Sequence, residues 1–441
     1  MRGGLVIGAG ILTGNILGFV RGAVTAYLLG THTLADALAV AIGPIDTLNS
    51  VLINTMVFAF VPLLAVRDGA HRAVLFARAA RLFRWVFGFV AVALIAFAPW
   101  LTRLLGPGLD PAVFPTAVNL LRITAISTLA VGAAALHSAL LLTERRFGPT
   151  AFYQAALNLF VIAGALSLWR VIGIYAFAVG YAVGGFAQLV LVYWFARRSW
   201  QRLREAAPER NAPSEDHTTA ELLAKPGSFL IYAGLLALNT LVTRAYATQA
   251  GPGMAAAFDY CIRCVNVVTA YLVSPASNSL LPEIARLRGL NRVRDAFRLI
   301  NHTLGATAVA AVIGCAVGIA LREPVIALLF QRGSFTAEST RLVSGVFLGF
   351  APSLIGLSLL EIASRSLFAL DRPWLPVVAA IAPVSVNIAV CALMHPVAEA
   401  QIGLGASAGL ITGFGVLFLM VAGRRRNWMR ELTATVDPAA E

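Results

Sequence analysis

Apolar residues along this chain gather into runs of roughly 20 or more, separated by short stretches that carry most of the charge. At about 1.5 Å of rise per residue, each run is long enough to cross a ~30 Å hydrocarbon core as a helix. The runs lack the period-two alternation of a membrane-barrel strand, so helices are predicted. They fall near residues 5–29, 35–66, 84–105, 114–142, 149–169, 172–196, 227–250, 256–285, 299–321, 338–368, 374–394 and 402–423. The expected fold class is therefore an all-α polytopic membrane protein of about twelve transmembrane helices. The first run contains Arg21 and continues without a small-residue cleavage site, so it reads as the first helix and not as a removable signal.

Composition agrees. Of 441 residues, 59% are hydrophobic and only 12% charged, with a mean hydropathy of +0.80. A soluble chain of this length needs more charge to cover its surface. The net charge of +13 would suit a nucleic-acid partner, but its placement argues against one. Arg67, Arg72, Arg78, Arg81 and Arg84 follow the second run, Arg145 and Arg146 the fourth, and Arg286, Arg288, Arg292, Arg294 and Arg298 the eighth. Arg424, Arg425, Arg426 and Arg430 follow the last, whereas the alternate loops hold few: 251–253 and 395–401 contain no Arg or Lys, and Arg170, Arg322 and Arg332 stand out on that side. That alternation is the positive-inside pattern, and it predicts both termini on the cytoplasmic side with an even number of spans.

The longest polar stretch, 197–226, reads as a cytoplasmic linker between an N-terminal lobe (1–196) and a C-terminal lobe (227–423), with 424–441 as a cytoplasmic tail. The halves look like repeats. At an offset of 223, Arg21 falls on Arg244, Thr25 on Thr248, Gly30 on Gly253 and Asp36 on Asp259. Both halves start from the same side, so two parallel six-helix lobes around a central cavity are expected.

A charge near the centre of a membrane helix costs ~2.5–3.5 kcal/mol on insertion scales, so each such residue should meet a partner or water. Gly14, Gly18, Arg21 and Thr25 share one face of the first helix, and Thr240, Arg244 and Thr248 one face of the seventh. Asp36, Gly43, Asp46, Ser50 and Asn54 align on the second, and Asp259, Arg263, Asn266 and Ser277 on the eighth. These stripes either line a solvated translocation path or serve fixed packing and pairing, with Asp259 and Arg263 neutralising each other four residues apart. Arg122, His137, Glu361 and Arg365 read as structural. Pro44 and Pro275 are expected to kink or break their helices. The four cysteines, Cys261, Cys264, Cys315 and Cys391, lie within apolar runs. The Cys261-Ile262-Arg263-Cys264 spacing has no second pair or nearby histidine, so packing is expected and not a metal or redox site. No Walker loop, nucleophile elbow or histidine cluster appears, so no catalytic residue, metal or cofactor is expected. Energy would come from the membrane potential, Na+ or H+.

Leu17-Gly18-Phe19-Val20-Arg21, Ala35-Asp36-Ala37 and Phe58-Ala59-Phe60-Val61-Pro62 together resemble the opening of the MurJ/MviN lipid II flippases of the MOP exporter superfamily. In the second half, Tyr260-Cys261-Ile262-Arg263, Leu281-Pro282 and Phe368-Ala369-Leu370-Asp371-Arg372-Pro373 fit the same family. The most specific element is Leu328-Leu329-Phe330-Gln331-Arg332-Gly333-Ser334-Phe335-Thr336, close to the family's signature loop. The resemblance implies two six-helix lobes with a V-shaped cavity that move an undecaprenyl-pyrophosphate-linked sugar outward by alternating access. It carries over Arg21, Asp36 and Arg263. Where the family has a further arginine six residues before Arg21, this chain has Asn15, and near the family's paired arginines of helix two it has Asn49 and Ser50. Two further family helices are not matched beyond residue 423. The expected substrate-binding set is Arg21, Arg244, Arg263, Asn15 and Asn49, with Asp36, Asp46 and Asp259 as ion-coupling or pairing residues. The expected partners are a lipid-linked oligosaccharide, membrane lipids and other cell-envelope synthesis proteins, with the chain itself a monomer. Two other readings are an ion-coupled exporter of small cationic molecules and a non-transporting scaffold. A scaffold would tolerate loss of Arg21, Arg244 and Arg263 together.

Overall fold

The computed structural model describes residues 2–56, 60–65, 69–205, 219–290, 292–394 and 398–434, and among these no strand occurs. The chain enters through α1 (Arg2–Leu29), α2 (Thr33–Thr55) and the short α3 (Val61–Ala65). Next come α4 (Gly69–Ala96), α5 (Ala98–Leu105), α6 (Phe114–Ala125), α7 (Thr128–Thr143), α8 (Phe147–Ala151), α9 (Tyr153–Ile172) and α10 (Tyr175–Glu205). The second half comprises α11 (Thr219–Ala250), α12 (Met254–Leu272), α13 (Ser274–Gly289), α14 (Val293–Ala320) and α15 (Arg322–Phe330). It closes with α16 (Ala337–Phe350), α17 (Ser353–Ala369), α18 (Trp374–Ala379), α19 (Ile381–Met394) and α20 (Glu399–Ala434).

Among the described residues ten stretches are long and apolar enough to cross a membrane, and α16 with α17, bent by 46°, make an eleventh. The bend falls at Ala351–Pro352, where proline cannot donate to the helix ladder. The remaining expected span, 256–285, is helical as α12 and α13 but not apolar enough to join that count, because α12 carries Asp259, Arg263 and Asn266. Its break lies at Val273, two residues before Pro275, whereas Pro44 sits inside an unbroken α2. The charged stretch 197–226 is helical at both ends, since α10 runs to Glu205 and α11 starts at Thr219. Its centre, 206–218, lies outside the described residues, as do Phe58-Ala59 of the family-like motif, His395 and the end of the tail.

Large apolar side chains stand exposed where a soluble protein would bury them, among them Trp85 and Phe89 on α4, Val171 on α9 and Leu419 on α20. Against lipid tails that exposure carries no hydrophobic penalty, so close packing and internal polar contacts must hold the helices together. The protein is a multi-pass membrane protein.

Two compact units emerge. One comprises Met1–Ala233, Gly251–Ala256 and Phe330–Thr336, the other Gly234–Ala250, Ala257–Leu329 and Ala337–Glu441. In the first, Leu52, Met56, Phe60, Leu64, Phe76, Phe87, Leu136 and Leu140 interlock α2, α3, α4 and α7. Its α9 and α10 approach backbone to backbone at Gly164 and Gly180, where a methyl added to Gly164 would lie 2.8 Å from the Gly180 Cα. In the second, Val273, Leu280, Ile284, Phe297, Leu360, Leu367 and Leu417 join α13, α14, α17 and α20.

Two short segments from the second half of the sequence belong to the first unit, and both pack where α1 turns into α2. Gly333 (φ +60) lies against Tyr27, and the Ser334 N–H donates to the Tyr27 carbonyl at 2.8 Å. Phe330 stacks between Phe19 at 5.5 Å and Phe335 at 5.8 Å. The family-like loop therefore plugs the end of α1.

Candidate functional site

An arginine within an apolar helix requires a counter-charge or water, and the helix faces around Arg21 supply the former. Arg21 on α1 donates through Nη2 to Asp46 Oδ2 at 2.7 Å and through Nη1 to Asp46 Oδ1 at 3.3 Å. The Tyr181 hydroxyl on α10 donates to the same carboxylate at 2.6 Å, and the Arg21 guanidinium lies 6.0 Å from the Tyr181 ring centroid. The side chains are 10% exposed for Arg21 and 29% for Asp46. Three helices therefore converge on one fork-shaped, charge-assisted contact.

The second unit holds a separate pair. Arg244 on α11 donates through Nε at 3.0 Å and Nη2 at 2.6 Å to Asp259 Oδ1 on α12. These side chains are 7% and 21% exposed. Arg244 Nη1 is buried and has no hydrogen-bond partner among the described residues. This arginine thus retains a donor for an incoming acceptor.

The repeat-related positions have parted in role. Arg244 takes Asp259, but Arg21 takes Asp46, leaving Asp36 to a different contact. Its Oδ2 accepts from the Gly253 N–H at 2.6 Å and its Oδ1 from the Ala256 N–H at 2.9 Å. Those amides open α12, where the first-turn N–H groups have no partner within the helix and the dipole favours an anion. Asp36 is a remote N-cap. Asp36→Ala is expected to lower stability by about 1–2 kcal/mol, the cost of losing a capping acceptor. Thermal unfolding of the purified variant checks this, and an unchanged midpoint would remove the capping role.

Other candidates fall differently. Asn49 is buried, and its side-chain oxygen accepts from the Tyr153 hydroxyl at 3.1 Å. Asn15 is half-buried on α1. Arg263 is half-buried on α12, four residues after an Asp259 already engaged by Arg244. The Asn54 and Ser277 side chains lie outside the described residues. His137 Nδ1 donates to the Ala133 carbonyl at 2.7 Å between the Phe76 and Tyr193 rings, and Arg365 pairs with Glu361 at 2.5 Å. Both contacts are local and structural. The cysteines are free.

Two features escaped the sequence. Tyr181 looks like any tyrosine in an apolar run; only the fold brings it to Asp46. The second is a buried neutral cluster in the second unit. Asn387 Nδ2 on α19 reaches the Asn239 carbonyl and Oδ1 at 3.0 Å and Thr243 Oγ1 at 2.8 Å, while the Cys391 thiol donates to Asn387 Oδ1 at 3.3 Å. Asparagines inside two apolar runs were the available signal.

Known proteins share this architecture. A sequence model for the family described as lipid II flippase MurJ matches residues 25–436. A probable lipid II flippase MurJ of Rhizobium meliloti (strain 1021) is 28% identical over 446 residues, covering 97% of this chain and 81% of the relative. The lipid II flippase MurJ of Burkholderia cenocepacia is 25% identical over 377 residues, covering 83% of this chain and 72% of that protein. Among solved structures, a lipid II flippase MurJ in an inward closed conformation superposes with a TM-score of 0.80 at 19% identity, covering 98% of this chain and 90% of that one. An inward-facing multidrug resistance transporter of the MATE family, in the MOP superfamily, gives 0.76 at 13% identity, covering 96% of each chain. At these identities the structural likeness is one of fold. The family match spans nearly the whole chain, and the chain belongs to the MurJ lipid II flippase family.

Proposed function

We propose that this chain moves lipid II, or a closely related undecaprenyl-pyrophosphate-linked sugar, across the bacterial inner membrane by alternating access. In this reading both termini are cytoplasmic, as the alternation of basic loops indicates. The observation that carries it is the Arg21–Asp46 pair, a buried guanidinium held by one carboxylate that also accepts from the Tyr181 hydroxyl. A pyrophosphate offers more negative charge and more acceptor oxygens than a single carboxylate, so it competes for Arg21 as the substrate enters. Arg244, with its remaining donor, serves the same chemistry in the other unit, and Arg263 adds positive charge on α12.

An ion-coupled drug exporter of the same fold would need an intramembrane carboxylate open to a cation. The three candidates are engaged: Asp46 by Arg21 and Tyr181, Asp259 by Arg244, and Asp36 by two backbone amides. That favours the glycolipid.

The test is rescue of cells depleted of their own lipid II flippase. Wild-type protein is expected to restore growth, and Arg21→Ala and Arg263→Ala to abolish the rescue while still inserting. Failure of correctly inserted wild-type protein would exclude lipid II. Rescue by both variants would exclude the arginines as its binding groups.

A further inference from the structure

Three helices of the second unit leave a space between them. Gly305 and Ala308 on α14 and Ala363 on α17 are small where larger residues would touch, and a pocket of about 510 Å³ opens there, within the ~300–1,000 Å³ of small-ligand sites. Leu304, Leu367, Phe414 and Phe418 are among the large side chains of its apolar wall. A methyl added at Gly305 would meet no atom within 4 Å. The pocket opens beside lipid-facing surface, since Val309 and Ile313 on α14 and Phe418 and Leu419 on α20 are all exposed.

Charge gathers at one end of it. The wall residues lie near the start of α14 and near the end of α17, and α20 runs past them into Arg424. Arg298 follows the lining residue Phe297 and is 87% exposed, held only loosely to Asp295 at 3.9 Å. Arg424 is exposed three residues beyond Val421, and Arg288 with Asp371 lies past the end of α17. An apolar pocket open to lipid with a basic rim matches an amphiphile that has an aliphatic chain and an anionic head.

We infer that this pocket binds an anionic diacyl phospholipid of the surrounding bilayer, one acyl chain between α14, α17 and α20 and its phosphate beside Arg298 and Arg424. The site is separate from the Arg21 and Arg244 pairs, and it stands whether or not the chain flips lipid II. The lipid would act as a removable wedge between three helices of one unit, replacing side-chain packing that the small residues withhold.

Delipidated full-length protein is titrated with phosphatidylglycerol, phosphatidylcholine or undecaprenyl phosphate, and bound species are counted by native mass spectrometry. Phosphatidylglycerol is expected to bind best. Filling the pocket with Gly305→Leu and Ala308→Leu is expected to weaken it about tenfold or more, by excluding the methylenes that would be buried. Val309→Phe, outside the pocket, is expected to change nothing. Arg298 and Arg424 lie on exposed surface, so Arg298→Gln and Arg424→Gln are expected to leave the fold intact. Each is expected to cost about fivefold for phosphatidylglycerol and little for phosphatidylcholine. Equal binding of the zwitterionic lipid, preference for the polyprenyl phosphate, or indifference to both sets of variants would overturn the proposal.

Discussion

Asp46→Ala is expected to destabilise this protein by about 3 kcal/mol, at the low end of what breaking a buried ion pair costs, because the Asp46 side chain is 29% exposed. The loss comes less from the missing attraction than from what stays behind: a guanidinium 10% exposed with its counter-charge removed. Tyr181 loses its acceptor in the same step. The readout is thermal unfolding in detergent followed with a thiol-reactive dye, since Cys261, Cys315 and Cys391 are free and buried and become reactive only when the helices separate. Replacing both partners, as Arg21→Met with Asp46→Leu, is expected to restore most of the stability, because the apolar pair needs no compensation. The double variant should still fail to rescue flippase-depleted cells. Stability and transport then part company. If Asp46→Ala unfolds at the wild-type temperature, water already reaches Arg21 and the pair is not what holds it.

Gly253→Ala is expected to be at least as damaging, for a different reason. Gly253 sits at φ +82, where a side chain costs about 1–3 kcal/mol of backbone strain. An added Cβ would also fall against the Thr31 carbonyl oxygen, far inside van der Waals contact. The Asp36 hydrogen bonds to the Gly253 and Ala256 amides depend on that close approach, so the cap on α12 should loosen as well. Gly251→Ala makes the control. It too has positive φ, 139°, but a Cβ there meets open space, so only the strain should register. A larger midpoint drop for Gly253→Ala than for Gly251→Ala is the expected result in thermal unfolding. Equal drops would mean that the contact with Thr31 is yielding.

The candidate site was partly legible in the sequence, and the reason is cost. A charge on a membrane helix is expensive enough that its presence alone marks a position, which is how Arg21, Asp36, Asp46, Arg244, Asp259 and Arg263 stood out. Which charge meets which was not legible. The repeat offset pairs Arg21 with Asp36 by analogy with Arg244 and Asp259, yet Arg21 binds Asp46, ten residues further along α2. Helical periodicity says which residues share a face but not the rotation or depth of one helix against the next. Tyr181 gave no such signal and Asn387 only a faint one, because neutral polar residues are tolerated in a membrane helix and mark a position less sharply than a charge does.

What the sequence determined alone was whatever follows from a one-dimensional requirement. Backbone amides in hydrocarbon must be satisfied within their own segment, so long apolar runs become helices wherever they occur, and the arginine-rich turns mark their ends. The family was legible for a related reason: the turn around Gly333 needs particular residues to lie against Tyr27, so it left a recognisable string. Everything that depends on two helices meeting waited for the tertiary structure. That includes the exchange of partners between Asp36 and Asp46, the assignment of Gly251–Ala256 and Phe330–Thr336 to the first compact unit, and the pocket that small residues leave beside α14. Such contacts are set by side-chain packing across distant segments, a short-range interaction that a linear pattern does not encode.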